Sequence, residues 1–247
     1  MDDVVNFGAG SISPLPEALA ESVWRSRPGL LKRERTRVQL VQAAIRVFGS
    51  RGYGDATIQE IAAAAGVTTG TVYNHFKTKE DVARGVAMLL ADTLCRRITD
   101  SQQGVAEGAQ RMAIGIQRYI WLAEQSPQWA VMLMDVSAAA PELLMEIRGY
   151  VLADLRLGVK QKAFRVSSEA AAMDMINGSV QQAMRTVAYG LAPEKHGREV
   201  ATCLLRGLGM EWVVAKQVAF RPLPAFPPMD EAQAPAARKT RKAKAAD

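Results

Sequence analysis

The sequence predicts an all-α protein, with a small N-terminal three-helix head and a larger helical body. Three observations lead there. No run sustains the alternation of apolar and polar residues that a half-buried strand needs. Apolar residues instead recur three and four positions apart, as on one face of a helix. Glycine, proline and hydroxyl residues stand where such segments begin and end.

In chain order, residues 1–31 carry Gly8, Gly10, Pro14, Pro16, Pro28 and Gly29, which confine any helix there to Glu17–Arg25, so a flexible arm is expected. From Arg33 onward Val41, Ala44, Ile45 and Phe48 share a helix face that ends in Gly49, Gly52 and Gly54. Thr57 and Glu60 form a capping box, in which the hydroxyl accepts from a backbone N–H and the carboxylate reaches back. Ile58, Ile61 and Ala62 give that helix its buried side, small Ala62–Ala65 allow another helix to approach, and Gly66 permits a tight turn. Thr68 can cap the next helix, with Val67 and Val72 placed as a hydrophobic staple and Phe76 as an anchor near its end. Thr78 and Asp81 then restart a helix through Val82, Val86, Leu89, Leu90 and Leu94.

The body, residues 81–220, reads as amphipathic helices broken near Pro127, Pro141, Arg165–Ser168 and Pro193. Two late helices, Glu169–Ala188 and Glu199–Val218, are the least polar. Beyond Arg221, five prolines and then ARKTRKAKAAD predict a disordered basic tail over 221–247.

The formal charge of +6 and pI near 9.5 suit a polyanionic partner, though they name no site. The excess is local, since residues 32–98 hold 11 basic and 6 acidic residues. Cys95 and Cys203 stand far apart inside helical patterns, which matches neither a metal site nor a disulfide framework. No metal and no cofactor is expected, and a reducing cytoplasm fits. An acidic start, MDDVVNFGAG, and the lack of an apolar run approaching ~20 residues argue against a signal peptide and a membrane partner.

The stretch Thr57–Lys79 is the hardest to explain without a partner. In a helix-turn-helix the second helix enters the major groove of DNA, so one face must be short-chained and hydrogen-bonding while the other packs on the first helix. Thr68, Thr69, Thr71, Tyr73, Asn74 and His75 supply such groups, with no acidic residue among them, and Gly70 removes bulk where the backbone would approach DNA. Asn74 can pair with adenine and threonine methyls can meet thymine methyls. Tyr73, Lys77 and Lys79 suit phosphates, which position without reading sequence. Thr57, Arg33 and Arg35 complete the DNA-facing set, with Lys32 and Arg37 beside them. On this division Thr71→Ala and Asn74→Ala change which sequences bind, whereas Lys79→Ala weakens all alike.

Residues 33–80 resemble the DNA-binding domain of the tetracycline-repressor (TetR) family. The resemblance rests on AAIRVFGSRGYGDATIQEIAAAAGVTTGTVYNHFKTKEDV, with its A-x-x-x-F-x-x-x-G-Y opening, T-I-x-x-I-A, A-G-V-x-x-G-T-V-Y-x-H-F and closing K-x-D elements. It implies a homodimer joined through the last two long helices, a body that binds a small effector, and repression more often than activation. The partners it implies are double-stranded DNA with a palindromic operator, a second copy of the chain and an effector. The arm before the first helix and the basic tail depart from the family pattern, and their roles stay open.

Within the body, Met112, Tyr119, Trp121, Trp129, Met132 and Met173 are the residues expected to line an effector pocket, since methionine and aromatic side chains suit an adaptable apolar site. Each is equally at home as core. The scarcity of charge in Trp129–Ala140 points to a largely apolar effector. Met173, Val180, Met184, Val187, Leu204, Leu208 and Trp212 form the expected dimer face, although monomer core explains them as well. A helical enzyme with a basic head is the competing class and is poorly provided for: His75 and His196 are the only histidines, and no phosphate-cradling glycine loop or activated nucleophile is evident. An architectural DNA binder would differ in lacking an effector cavity.

Overall fold

The computed structural model describes residues 14–24, 29–139 and 141–228, and all regular structure among them is helical. The expected all-α class is therefore the observed one. The arm contains α1 (Glu17–Trp24), and the head is built from α2 (Lys32–Asp55), α3 (Ile58–Ala65) and α4 (Thr69–His75). Then come α5 (Lys79–Ser101), α6 (Gly108–Gln125), α7 (Pro127–Ala139), α8 (Pro141–Lys160), α9 (Glu169–Ala188), α10 (His196–Gly207) and α11 (Trp212–Ala219). The expected breaks near Pro127 and Pro141, the start at Glu169 and the caps at Thr57, Thr68 and Thr78 coincide with the ends of these elements.

One expectation about helix continuity fails for a backbone reason. The segment Glu199–Val218 is not one helix: Gly209 takes φ +97°, and Glu211 accepts from Val213 N–H at 2.7 Å to start α11 afresh. Near the other end the break falls among the glycines where the sequence placed it: Gly52 takes φ +80° and interrupts α2 before Asp55.

Two apolar cores result. The head core gathers Leu40, Ala44, Phe48, Ile61, Val72 and Phe76, and the body core gathers Leu94, Ile114, Ile120, Met173, Leu205 and Leu208. The expected boundary at residue 80 falls inside a continuous helix. Val82, Val86 and Leu90 of α5 are buried in the head core, whereas Ala91, Leu94 and Ile98 are buried in the body core. Below them α6 and α8 cross so closely that a Cβ on Gly108 would lie 2.4 Å from Gly158 N. Gln161 seals that crossing, accepting from Gly108 N–H and donating to the Ala106 carbonyl, both at 2.7 Å.

The described parts of the flanking segments pack against the two cores. α1 is no loose arm, because Leu19 is buried in the body core and Val23 in the head core. Residues 221–228 leave the body as an extended strap along α6, with Leu223 against the body core. Residues 1–13 and 229–247, including the basic run from Arg238 to Lys244, lie outside the described residues. Among the described residues no helix is long and apolar enough to cross a membrane.

Candidate functional site

The site begins with the turn between α3 and α4. Thr57 Oγ1 accepts from Glu60 N–H at 3.2 Å, and Glu60 Oε2 accepts from Thr57 N–H at 3.0 Å. At the far end Gly66 is left-handed (φ +66°), which lets Gly66 N–H reach Ala63 O and Val67 N–H reach Ala62 O, both at 3.0 Å. α4 then starts at Thr68, whose hydroxyl accepts from Thr71 N–H at 3.2 Å. Val72 and Phe76 are buried beneath it. The side of α4 turned away from the core presents Thr69, Gly70, Tyr73 and Asn74, and the side chains of Thr69, Tyr73 and Asn74 make no hydrogen bond to other described residues. That face can meet a partner without first breaking internal bonds.

Other members of the expected DNA set have structural duties. The hydroxyls of Thr57, Thr68 and Thr71 are engaged in caps, the latter two sharing a hydrogen bond at 3.1 Å. Lys79 is not a free phosphate hand: its Nζ donates to the carbonyls of Tyr53, Gly54 and Ala56 at 3.0, 2.9 and 3.2 Å, and it stands 4.8 Å from the Tyr53 ring. It closes the glycine-rich end of α2, where carbonyls lack helical partners. Lys77 is exposed, and among the described residues its side chain bonds only to Tyr73 O, at 3.3 Å and facing solvent. Arg33 and Arg35 are exposed on the first turn of α2.

Three ties that the sequence reading missed hold α4 and α3 on α2. Arg37 Nη1 donates to His75 O at 3.3 Å and its guanidinium lies 4.3 Å from the Phe76 ring; Gln39 donates to Ala65 O at 2.7 Å and Arg46 to Ala64 O at 3.2 Å. Polar side chains on an exposed helix face carry no signal for such partners. Burial, and then the charges of Arg33 and Arg37, lower the pKa of His75, so the imidazole at the end of α4 stays neutral at neutral pH.

A cavity of about 300 Å³ occupies the body. α5 and its C-terminal cap line it with Cys95, Ile98, Thr99 and Gln102, α6 with Met112, Gly115, Ile116 and Tyr119, and α8 with Ile147, Tyr150, Val151 and Asp154. Each set follows i, i+3, i+4, i+7 spacing, so each is one face of its helix. Of the expected pocket residues Met112 and Tyr119 are in this lining. Met173 is sealed in the body core, the Trp121 ring packs at a tilt of 54° on Phe226 of the strap with centroids 5.3 Å apart, and Trp129 and Met132 belong to the head core. These four are corrected: pattern identified them as apolar, and tertiary packing put them elsewhere.

The polar end of the cavity is organised by a partly buried ion pair. Arg111 Nε donates to Asp154 Oδ1 at 2.6 Å, and Gln102 Nε2 donates to Arg111 O at 2.9 Å and to Asp154 Oδ2 at 3.4 Å. Burial raises the Asp154 pKa, opposed by its bonds to Arg111 and Gln102. Tyr119 shares a hydrogen bond with Cys95 Sγ at 2.9 Å, and burial holds its phenol well above its ordinary pKa, hence neutral. The Nη groups of Arg111 and the amides of Asn177 and Gln181 have no hydrogen-bond partner among the described residues. Among the described residues no cluster of His, Cys, Asp or Glu could hold a metal ion.

The expected dimer face is also redrawn. Met173, Leu204 and Leu208 are buried in the monomer, Val180 and Met184 line its cavity, and Val187 packs on its core. Trp212 alone of that set is exposed, beside exposed Val213 and Val214.

Comparison with known proteins agrees with this architecture. Residues 40–86 match the model of bacterial regulatory proteins of the tetR family, and residues 107–221 match that of the tetracyclin repressor-like C-terminal domain. The chain belongs to the TetR family. Within it the transcriptional regulator SrpR of Pseudomonas putida is 47% identical over 53 residues, covering 22% of this chain and 25% of SrpR. The transcriptional activator FasR of Mycolicibacterium smegmatis is 30% identical over 102 residues, covering 41% of this chain and 47% of FasR. The chain thus spans half or less of the length of these relatives. Among solved structures, RolR in complex with resorcinol superimposes with a TM-score of 0.70 at 25% identity, covering 79% of this chain and 98% of RolR. FadR of Bacillus subtilis with stearoyl-CoA, at 20% identity and a TM-score of 0.55, covering 69% of this chain and 96% of its own, shares the fold.

Proposed function

We propose that this TetR-family protein is a homodimeric transcriptional regulator that reads a palindromic DNA site through α4 and releases it when a small effector enters the body cavity, and so acts as a repressor. The observation that carries the reading is the double role of α7. Leu133, Met134 and Ser137 of α7 line the cavity, while Trp129 and Met132 of the same helix are packed in the head core. A shift of α7 on filling the cavity therefore moves side chains that support α2, and an effector that favours one head position changes DNA affinity by its differential binding to the two positions.

Thr69, Gly70, Tyr73 and Asn74 form the base-reading face, and Lys77, Arg33 and Arg35 meet phosphate. The cavity's apolar walls with the Arg111, Asn177 and Gln181 donors suit a compact, largely apolar molecule carrying one or two hydrogen-bonding groups. RolR's complex with resorcinol, an aromatic ring with two hydroxyls, supports that class. The dimer forms through the outward side of α9 and α10 with Trp212–Val214, which the monomer leaves exposed. Selection from a randomised duplex library tests the reading: a two-fold symmetric site should emerge, and small phenols rather than highly charged metabolites should release the protein from it. Enrichment of no sequence, with equal binding to all duplexes, would overturn it in favour of an architectural protein.

A further inference from the structure

Both ends of the described chain meet at one buried guanidinium. Arg97 lies on α5 and is 5% exposed. Its Nε donates to the carbonyl of Ala18 in α1 at 3.1 Å, and its Nη2 donates to the carbonyl of Pro227 in the strap at 2.8 Å. These partners are 79 and 130 residues away in sequence. The ring of Phe226 lies 5.4 Å from the Arg97 guanidinium and 3.9 Å from that of Arg118, which is 8% exposed and donates to Pro224 O. The strap is thus gripped by two buried arginines through carbonyl oxygens and one aromatic face.

What α1 does with its fixed end gives this grip a consequence. Leu19 is buried in the body core, while one turn on Val23 is buried in the head core. The Val23 carbonyl accepts from Gln42 of α2 at 2.8 Å, and Arg46 of α2 lies 5.3 Å from the Trp24 ring. α1 is a rod with one end in each core. We propose that Arg97 is a positioning residue, the catch of a clasp in which the strap keeps α1 seated and α1 fixes the tilt of the head on the body.

Chemistry couples the two halves. The guanidinium reaches the two carbonyls from two separate nitrogens, Nε and Nη2, held in one rigid plane, whereas a lysine ammonium has to reach both from a single nitrogen. When the strap leaves, Nη2 loses its acceptor and the cover of Phe226 and Pro227 together, and the guanidinium gains hydration by turning toward the water that replaces them. That turn withdraws the donor from Ala18 as well. Arg97 is outside the cavity lining but shares α5 with Cys95, Ile98 and Thr99, which are in it, so displacement of α5 reaches the clasp.

Hydrogen exchange on the full chain, on a chain ending at Phe220 and on Arg97→Lys tests this. Removing the strap should raise exchange of the α1 amides at least tenfold, although no α1 residue is deleted. Arg97→Lys should do the same and also expose Phe226 to hydroxyl-radical oxidation, while α6 amides stay protected. Unchanged α1 exchange in the strapless chain overturns the proposal, and it decides the matter alone if Arg97→Lys loses α6 protection through unfolding. None of these readouts uses DNA, so the clasp can fail or stand separately from the reading of α4.

Discussion

Lys79 shows how one side chain's duty depends on what surrounds it. Its position after α4 suits a phosphate contact, yet its three donors close on the carbonyls of Tyr53, Gly54 and Ala56. Replacing it removes the donor from these partly exposed carbonyls, at about 1 kcal/mol. Lys79→Met should therefore lower the melting temperature, whereas Lys77→Met should leave it unchanged and reduce the salt slope of DNA binding by ~0.9 for one lost phosphate contact. Thermal denaturation and binding titrations at several salt concentrations check both; a Lys79→Met protein with unchanged melting would return Lys79 to the phosphate set. The caps at Thr57, Thr68 and Thr78 were readable because each bond spans three residues. The ties from Arg37, Gln39 and Arg46 were not, since their acceptors lie on other helices.

At the scale of elements, α7 joins the two cores. Trp129 is buried against Gly49, where an added Cβ would stand 3.8 Å from the indole. Trp129→Ala removes the largest apolar side chain at the head–body junction and should cost roughly 3–5 kcal/mol. Calorimetry should show the head melting before the body in that variant, and a single unshifted transition would mean that α7 does not bind the two together. The stripes of α5, α6 and α8 illustrate what periodicity conveys here. Each i, i+3, i+4, i+7 set is visible in the sequence as a helix face, but the same pattern describes a face packed against a neighbour and one lining a cavity.

For the whole molecule, burial separates residues that pattern made equivalent. Val180 and Leu208 were placed on the dimer face, and both are buried in the monomer, so a charge at either one should unfold the chain rather than divide a dimer. Trp212 and Val213 are 42% and 55% exposed. The double variant Trp212→Glu, Val213→Glu should therefore shift the mass seen by light scattering to the monomer without loss of melting temperature. A dimer that persists in that variant would move the interface elsewhere.

The sequence by itself determined the helical class, most helix starts, the turn at Gly66 and the outward face of α4. These are local matters: caps, left-handed glycine and amphipathic period act over a few residues and need no knowledge of distant neighbours. Tertiary structure alone decided which apolar stripes enclose a cavity, that Trp129 and Met132 belong to the head, that Arg97 binds both ends of the chain, and that Lys79 closes α2. Each of those depends on groups brought together from far along the chain, and the direction in which a helix turns its apolar side is set by its neighbours' shapes rather than by its own residues.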